Sequence, residues 1–170
     1  MADYTVGSAV SRMAEHMAAL YYWLTKEMVA DYGEEAACET IRRAVREFGL
    51  ERGRNIRDEV LKDGEPLTIE NLDRYYDIPV AEGWSNAAVY ENGEKHNTTA
   101  SCTFADVWME RGWTKIGQIY CLVDPAIREG YTEGHEPALT YTTDKNVMRG
   151  DGCCTSVTGY KPGTGSEGDR

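Results

Sequence analysis

Val6, Val10, Met13, Met17, Leu20, Leu24 and Met28 recur at steps of three and four residues, the repeat of one helix face, so the chain opens on a long helix. Asp31-Tyr32-Gly33 ends it, with Gly33 suited to a left-handed cap. A second helix follows from about Glu34, with two acids in its first turn, where the helix dipole favours them. Its apolar face reads Ala37, Ile41, Ala44 or Val45, Phe48, Ile56 and Val60. Glu39–Arg43, Arg43–Glu47 and Arg54–Asp58 stand four apart and can pair along its exposed side. Lys62-Asp63-Gly64-Glu65-Pro66 breaks this helix, and Thr68 is placed to cap a short one over residues 68–75.

The pattern changes after Pro79. Val80 to Tyr90 and Lys95 to Phe104 flank Asn92-Gly93 and predict an antiparallel hairpin. Ala105 to Arg111 and Ile116 to Glu129 read as helices around a break at Gly112-Trp113. Ala138 to Asp144 and Cys153 to Tyr160 predict a second strand pair, across a turn at Met148-Arg149-Gly150-Asp151-Gly152. Residues 161–170, rich in Gly and polar groups, are expected to form a flexible tail behind a single domain over residues 1–160. Long N-terminal helices packed on a small antiparallel sheet with inserted helices make an α+β domain, and the absence of βαβ alternation argues against a Rossmann sheet.

Composition narrows the partners. The 170 residues carry 18 Lys+Arg against 29 Asp+Glu, a formal charge of −11. Such a balance disfavours nucleic acid and anionic membrane, which need clustered positive charge. The strongest apolar run, Met17 to Leu24, is far short of the roughly 20 residues of a membrane span. No basic stretch followed by an apolar one marks the N-terminus, and the five cysteines are an odd count, so reduced thiols in a cytoplasm are expected. The stripe from Val6 to Met28 could equally pack on a second copy, which makes a homodimer a further expectation.

The chain has no phosphate-binding loop, no Gly-x-Ser-x-Gly elbow, no His-Glu-x-x-His helix and no paired Cys-x-x-Cys knuckles. His16 lies beside the apolar stripe and His135 in a Gly-rich loop, where structural or solvated roles are the default. His96, in the hairpin, could point into a sheet-lined pocket. Cys38, among small residues of the second helix, reads as an inert buried thiol. Cys102, Cys121 and the Cys153-Cys154 pair lie in three different elements that a small domain could bring together. Converging thiols with a carboxylate would suit a nucleophile and its acid–base partner, or a thiolate-bound zinc; small core residues would read the same way. Most arginines of the second helix belong to a salt-bridged face, but Arg46, with Gly49 and Gly53, falls near the apolar side and could clamp a carboxylate.

Three motifs carry a resemblance. Ile116-Gly117-Gln118-Ile119-Tyr120-Cys121-Leu122-Val123-Asp124 followed by Tyr131, the later Gly150-Asp151-Gly152-Cys153-Cys154, and Arg46-Glu47-Phe48-Gly49 in the helical half resemble the L-2-amino-thiazoline-4-carboxylic acid hydrolase family over roughly residues 35–160. Cys102 fits the family's cysteine ahead of the Tyr-Cys-x-x-Asp helix, and Cys154 ends its Gly-Asp-x-x-Cys strand. The resemblance implies a hydrolase acting on a carbon–nitrogen bond of a five-membered cyclic amidine; no cofactor is predicted, and a thiolate-bound zinc is left open. It implies that Cys121 or Cys102 is the nucleophile or its partner, that Asp124 is the acid–base group, and that Arg46, Cys154 and Tyr131 contact the small-molecule substrate; His96 joins these substrate-binding candidates from its place in the hairpin alone. The C-terminal half also resembles vinyl-reductase-like sensor domains, which implies the alternative of a non-catalytic small-molecule-binding module.

Overall fold

A computed structural model describes residues 6–79 and 81–162; Val80, where the first strand was expected to begin, and residues 163–170 of the expected tail lie outside the described residues. Helix α1 spans Val6–Tyr32 and α2 spans Glu34–Lys62, hinged at Gly33, whose φ of 79° is left-handed. Thr68 caps α3, Ile69–Arg74, by accepting the Asn71 N–H at 3.2 Å, as its position in the sequence predicts. The hairpin pairs β1, Ser85–Glu91, with β2, Glu94–Ser101, through Asn92 and Gly93 at φ 52° and 77°. Two left-handed central residues give a turn whose twist matches the strands. Helices α4 (Thr103–Glu110), α5 (Thr114–Tyr120) and α6 (Val123–Tyr131) follow, then β3 (Leu139–Thr143), a single 3₁₀ turn over Val147–Arg149, and β4 (Cys154–Tyr160). The sheet runs β1-β2-β4-β3, antiparallel throughout, with His96 opposite Val157 and Tyr141 opposite Thr158. The fold is α+β.

The expected apolar stripe of α1 does not face the core. Met13, Leu20 and Leu24 are 67%, 59% and 57% exposed, with Met17 and Trp23 exposed beside them, while Ala14, Ala18 and Thr25 are buried. Small residues win the inward face because bulky partners crowd it: Trp108 lies over Ala18, whose carbonyl accepts its indole N–H at 2.9 Å, and Tyr21 packs on Trp108 with centroids 5.1 Å apart. On α2, Val45 rather than Ala44 is buried, and Phe48 is turned out.

The stretch from Ile116 to Glu129 is not one helix. Pro125 has no N–H to offer the carbonyl four residues back, and its ring would collide with that carbonyl, which belongs to Cys121. The chain therefore breaks at Cys121-Leu122, and Asp124 falls in the first turn of α6. Helix α6 is held against α2 at backbone contact distance. A Cβ on Gly49 would lie 2.5 Å from that of Ala126, and one on Gly53 would lie 2.2 Å from the Ile127 carbonyl oxygen. The small residues of the Arg-x-x-Gly element thus seat the helix that carries Asp124.

Candidate functional site

Cys121 closes α5 and Cys102 occupies the position just before α4, after β2 ends. Burial pushes the Cys121 thiol up to about 12; the Asp124 carboxylate and the neighbouring Cys102 and Cys154 add to this, and a hydrogen bond from Asn146 opposes it. Cys102 is likewise raised by burial, against the pull of the Ala105 and Phe104 N–H groups at the start of α4 and of the Trp84 side chain. The three thiols and Asp124 therefore share one region, and both Cys102 and Cys121 rest there as neutral S–H. All five cysteines are unbridged, and Cys38 sits in the helical core.

The Gly-Asp-x-x-Cys segment organises this region from outside. Gly150 turns the chain at φ 91°, Asp151 Oδ2 accepts the Asn146 backbone N–H at 2.8 Å, and Cys154 Sγ accepts that of Val147 at 3.4 Å. Asn146 Oδ1 is in turn fixed by the Met148 N–H at 2.9 Å, which leaves its Nδ2 to donate to Cys121 Sγ at 3.7 Å. Cys154 is thus a turn-holding group. No sequence pattern marks Asn146, since its role comes from a turn closed by residues on both sides.

Asp124 is joined to the next turn of its own helix. Arg128 Nη1 donates to the Asp124 backbone carbonyl at 3.1 Å and to Oδ1 at 3.3 Å, and its guanidinium stacks on the Tyr141 ring at 4.6 Å. The four-residue spacing is a helical pairing signal that sequence reading could have used. Burial first, then Asp124, raises the Tyr141 hydroxyl to about 12. Tyr76, Tyr120 and Cys121 feel the same carboxylate, so Asp124 is the electrostatic hub of the region. The Tyr120 hydroxyl and Arg128 Nε are buried and find no hydrogen-bond partner among the described residues.

Arg52, expected on the solvated face of α2, is buried instead. Its Nε and Nη2 grip both oxygens of Asp77 at 2.8 and 2.6 Å between the rings of Phe48 and Tyr76. Burial is the largest single influence and opposes its charge, but the Asp77 hydrogen bonds together with the charges of Tyr76, Asp77 and Tyr120 outweigh it and hold the guanidinium protonated.

The remaining sequence candidates stand elsewhere. Arg46 is half exposed and pairs with Glu129 at 2.6 Å across the α2–α6 seam. His96 meets Glu94 at 3.2 Å near the tip of the hairpin. Tyr131 is fully buried and its hydroxyl donates to the Thr68 carbonyl at 3.1 Å, bracing α6 against the start of α3. Among the described residues no three His, Cys, Asp or Glu side chains are arranged to hold a metal ion, and no helix is long and apolar enough to cross a membrane. Two open concavities, one at the α1–α2 elbow and one between α6 and β3, are lined by none of Cys102, Cys121, Asp124 or Cys154.

No curated protein matches the chain. Among solved structures, it is similar to a trafficking protein particle complex subunit 3 from Naegleria fowleri covalently bound to palmitic acid, at 15% identity and a TM-score of 0.55, over 88% of this chain and 95% of that one. It also matches the phenol-responsive sensory domain of the transcription activator PoxR with phenol, at 18% identity and a TM-score of 0.46, over 83% of this chain and 72% of the other. At 15% identity the first likeness concerns the fold alone. The family model of L-2-amino-thiazoline-4-carboxylic acid hydrolase matches residues 11–157, nearly the whole described chain, and the protein belongs to that family.

Proposed function

We propose that the protein hydrolyses a carbon–nitrogen bond of a small cyclic amidine of the thiazoline type at the Cys121–Asp124 pair. The observation that carries this reading is a neutral thiol held by Asn146 beside a carboxylate, in surroundings dry enough to lift that thiol to about 12. A resting thiolate is thereby disfavoured, and an addition without net charge separation is favoured. The Cys121 S–H adds across the ring C=N: sulfur bonds to the carbon between nitrogen and sulfur, and its proton goes to the ring nitrogen. Water then replaces the Cys121 sulfur at that carbon. One water proton reaches the departing ring nitrogen through Asp124, the other returns to Cys121, and the carbon keeps the oxygen as the ring C–N bond breaks. The enzyme is regenerated and one water is consumed. Asp124 also stabilises the amidinium character that builds on the substrate.

The test is turnover of 2-amino-thiazoline-4-carboxylate by Cys121→Ser, Cys102→Ser, Cys154→Ser and Asp124→Asn variants that keep the wild-type circular dichroism. The expected result is loss of at least a hundredfold in kcat for Cys121→Ser and Asp124→Asn, with smaller losses at Cys102 and Cys154. Full turnover by the Cys121 and Asp124 variants would overturn the reading. The buried, unpartnered Tyr120 hydroxyl and Arg128 Nε favour a second reading, a non-catalytic small-molecule-binding domain; it predicts saturable binding of the same compound with no turnover by the wild type.

A homodimer is part of the same proposal. The exposed face of α1 carries Arg12 and His16 towards one end and Glu27 and Asp31 towards the other, around Met13, Met17, Leu20 and Leu24. A second copy laid antiparallel sets the basic end against the acidic end, so the face is complementary to itself.

A further inference from the structure

Arg128 is bonded to Asp124, and its bonding is lopsided. Nη1 is taken by the carbonyl and Oδ1 of Asp124, whereas Nε is buried with no acceptor among the described residues. The Nε–Nη2 edge is the edge with which Arg52 grips Asp77 in two-point fashion, so this chain already uses that geometry to hold a carboxylate. A buried donor without a partner is costly, and a charged one more so. The Arg128 guanidinium lies over the ring of Tyr141, 4.6 Å from its centre, on the strand beside α6. Its side chain is 11% exposed while that of Asp124 is 35% exposed, so the pair is more open on the Asp124 side.

We infer that Arg128 is a carboxylate-binding residue: its Nε–Nη2 edge takes the carboxylate of a small ligand whose other end lies at Asp124 and Cys121. Arg46 is not assigned this role, since it is half exposed and its Nη2 and Nη1 already meet Glu129 and Glu47 at the surface. The geometry is that of an arginine bridging two carboxylates, one its own Asp124 and one brought by the ligand. With the amidine end towards Asp124, the ligand places unlike charges on each protein group in turn. The assignment rests on the site proposed above but not on its chemistry, because it concerns binding alone.

The experiment is calorimetric titration of 2-amino-thiazoline-4-carboxylate, its carboxamide and unsubstituted 2-aminothiazoline into the wild type, Arg128→Lys and Arg46→Gln. Wild type and Arg46→Gln are expected to bind the carboxylate at least tenfold more tightly than either neutral analogue. In Arg128→Lys, with an unchanged melting temperature, that preference falls to less than threefold. Equal binding of carboxylate and carboxamide by the wild type overturns the inference, whether or not the lysine variant folds. Loss of the preference in Arg46→Gln but not Arg128→Lys overturns it as well. A wild type that discriminates tenfold but turns nothing over sustains the inference and defeats the hydrolase reading, so the two fail separately.

Discussion

Asn146 Nδ2 donates to Cys121 Sγ at 3.7 Å, and nothing in the spacing of the two residues announces it. The bond opposes the effect of burial on the thiol. Replacing Asn146 by Ala should therefore raise the thiol further and slow its alkylation by iodoacetamide at pH 9 severalfold, with a loss of about 1 kcal/mol in stability for the hydrogen bond. An alkylation rate unchanged from wild type would separate Asn146 from the thiol.

The Cys121 thiol has a pH signature. Its folded value lies near 12, above the ordinary thiol value of roughly 8.5. A group raised on folding contributes stability that is complete below the unfolded value and is lost as pH climbs through the folded one. Denaturant midpoints should accordingly fall between about pH 9 and 12, and Cys121→Ser should flatten that fall. Parallel pH profiles for the two proteins would contradict the account.

Helix α6 depends on contacts that no side chain can share. Gly53→Ala drives a methyl to 2.2 Å from the Ile127 carbonyl oxygen, and Gly49→Ala to 2.5 Å from Ala126 Cβ. Each should cost about 1–3 kcal/mol, at the upper end for Gly53, where backbone is struck. Thermal melts would show it. Turnover should fall with Gly49→Ala even below the melting range, because Asp124 rides on the displaced helix.

The two faces of α1 should respond oppositely. Ala18→Leu pushes a bulky group into Trp108 and should cost about 1–3 kcal/mol, whereas Leu20→Glu should change monomer stability by less than about 0.5 kcal/mol. The same Leu20→Glu places like charges at the centre of the proposed antiparallel pair. Sedimentation should then show a dimer for wild type and a monomer for the variant; equal mass for both would remove the pairing.

Asp77→Ala strips the partner from a buried guanidinium. Its expected cost is about 3–5 kcal/mol, far above that of removing Glu39 from the exposed Arg43. Urea titrations of the two variants compare them directly.

Local rules made most of the secondary structure legible. Thr68 as a cap, Asn92-Gly93 as a tight hairpin turn and Gly33 as a left-handed hinge each state their geometry within a few residues. Orientation was less legible, because periodicity finds a stripe without saying what lies opposite. In α1 the inward face is set by Trp108, about 90 positions away, so Ala14 and Ala18 go in and Met13 and Met17 stay out. At the site, Cys102, Cys121, Asp124 and Cys154 could be picked from motifs, whereas Asn146, Arg128 and the Arg52–Asp77 pair become meaningful only once distant elements meet. Arg52 reads like its solvated neighbours until α3 and the segment after it bury it.

The proline between the thiol helix and the acid helix has a consequence of its own. On one continuous helix, the separation of Cys121 and Asp124 would be dictated by helical pitch. With Pro125 forbidding that continuity, the separation becomes a property of the Cys121-Leu122 torsions, and sulfur and carboxylate ride on bodies braced by different neighbours. A change confined to the α2–α6 seam can retune the reach of the acid while the sulfur keeps its seat. If the pair acts as proposed, such a chain can be adjusted to rings of different size by substitutions that touch neither Cys121 nor Asp124.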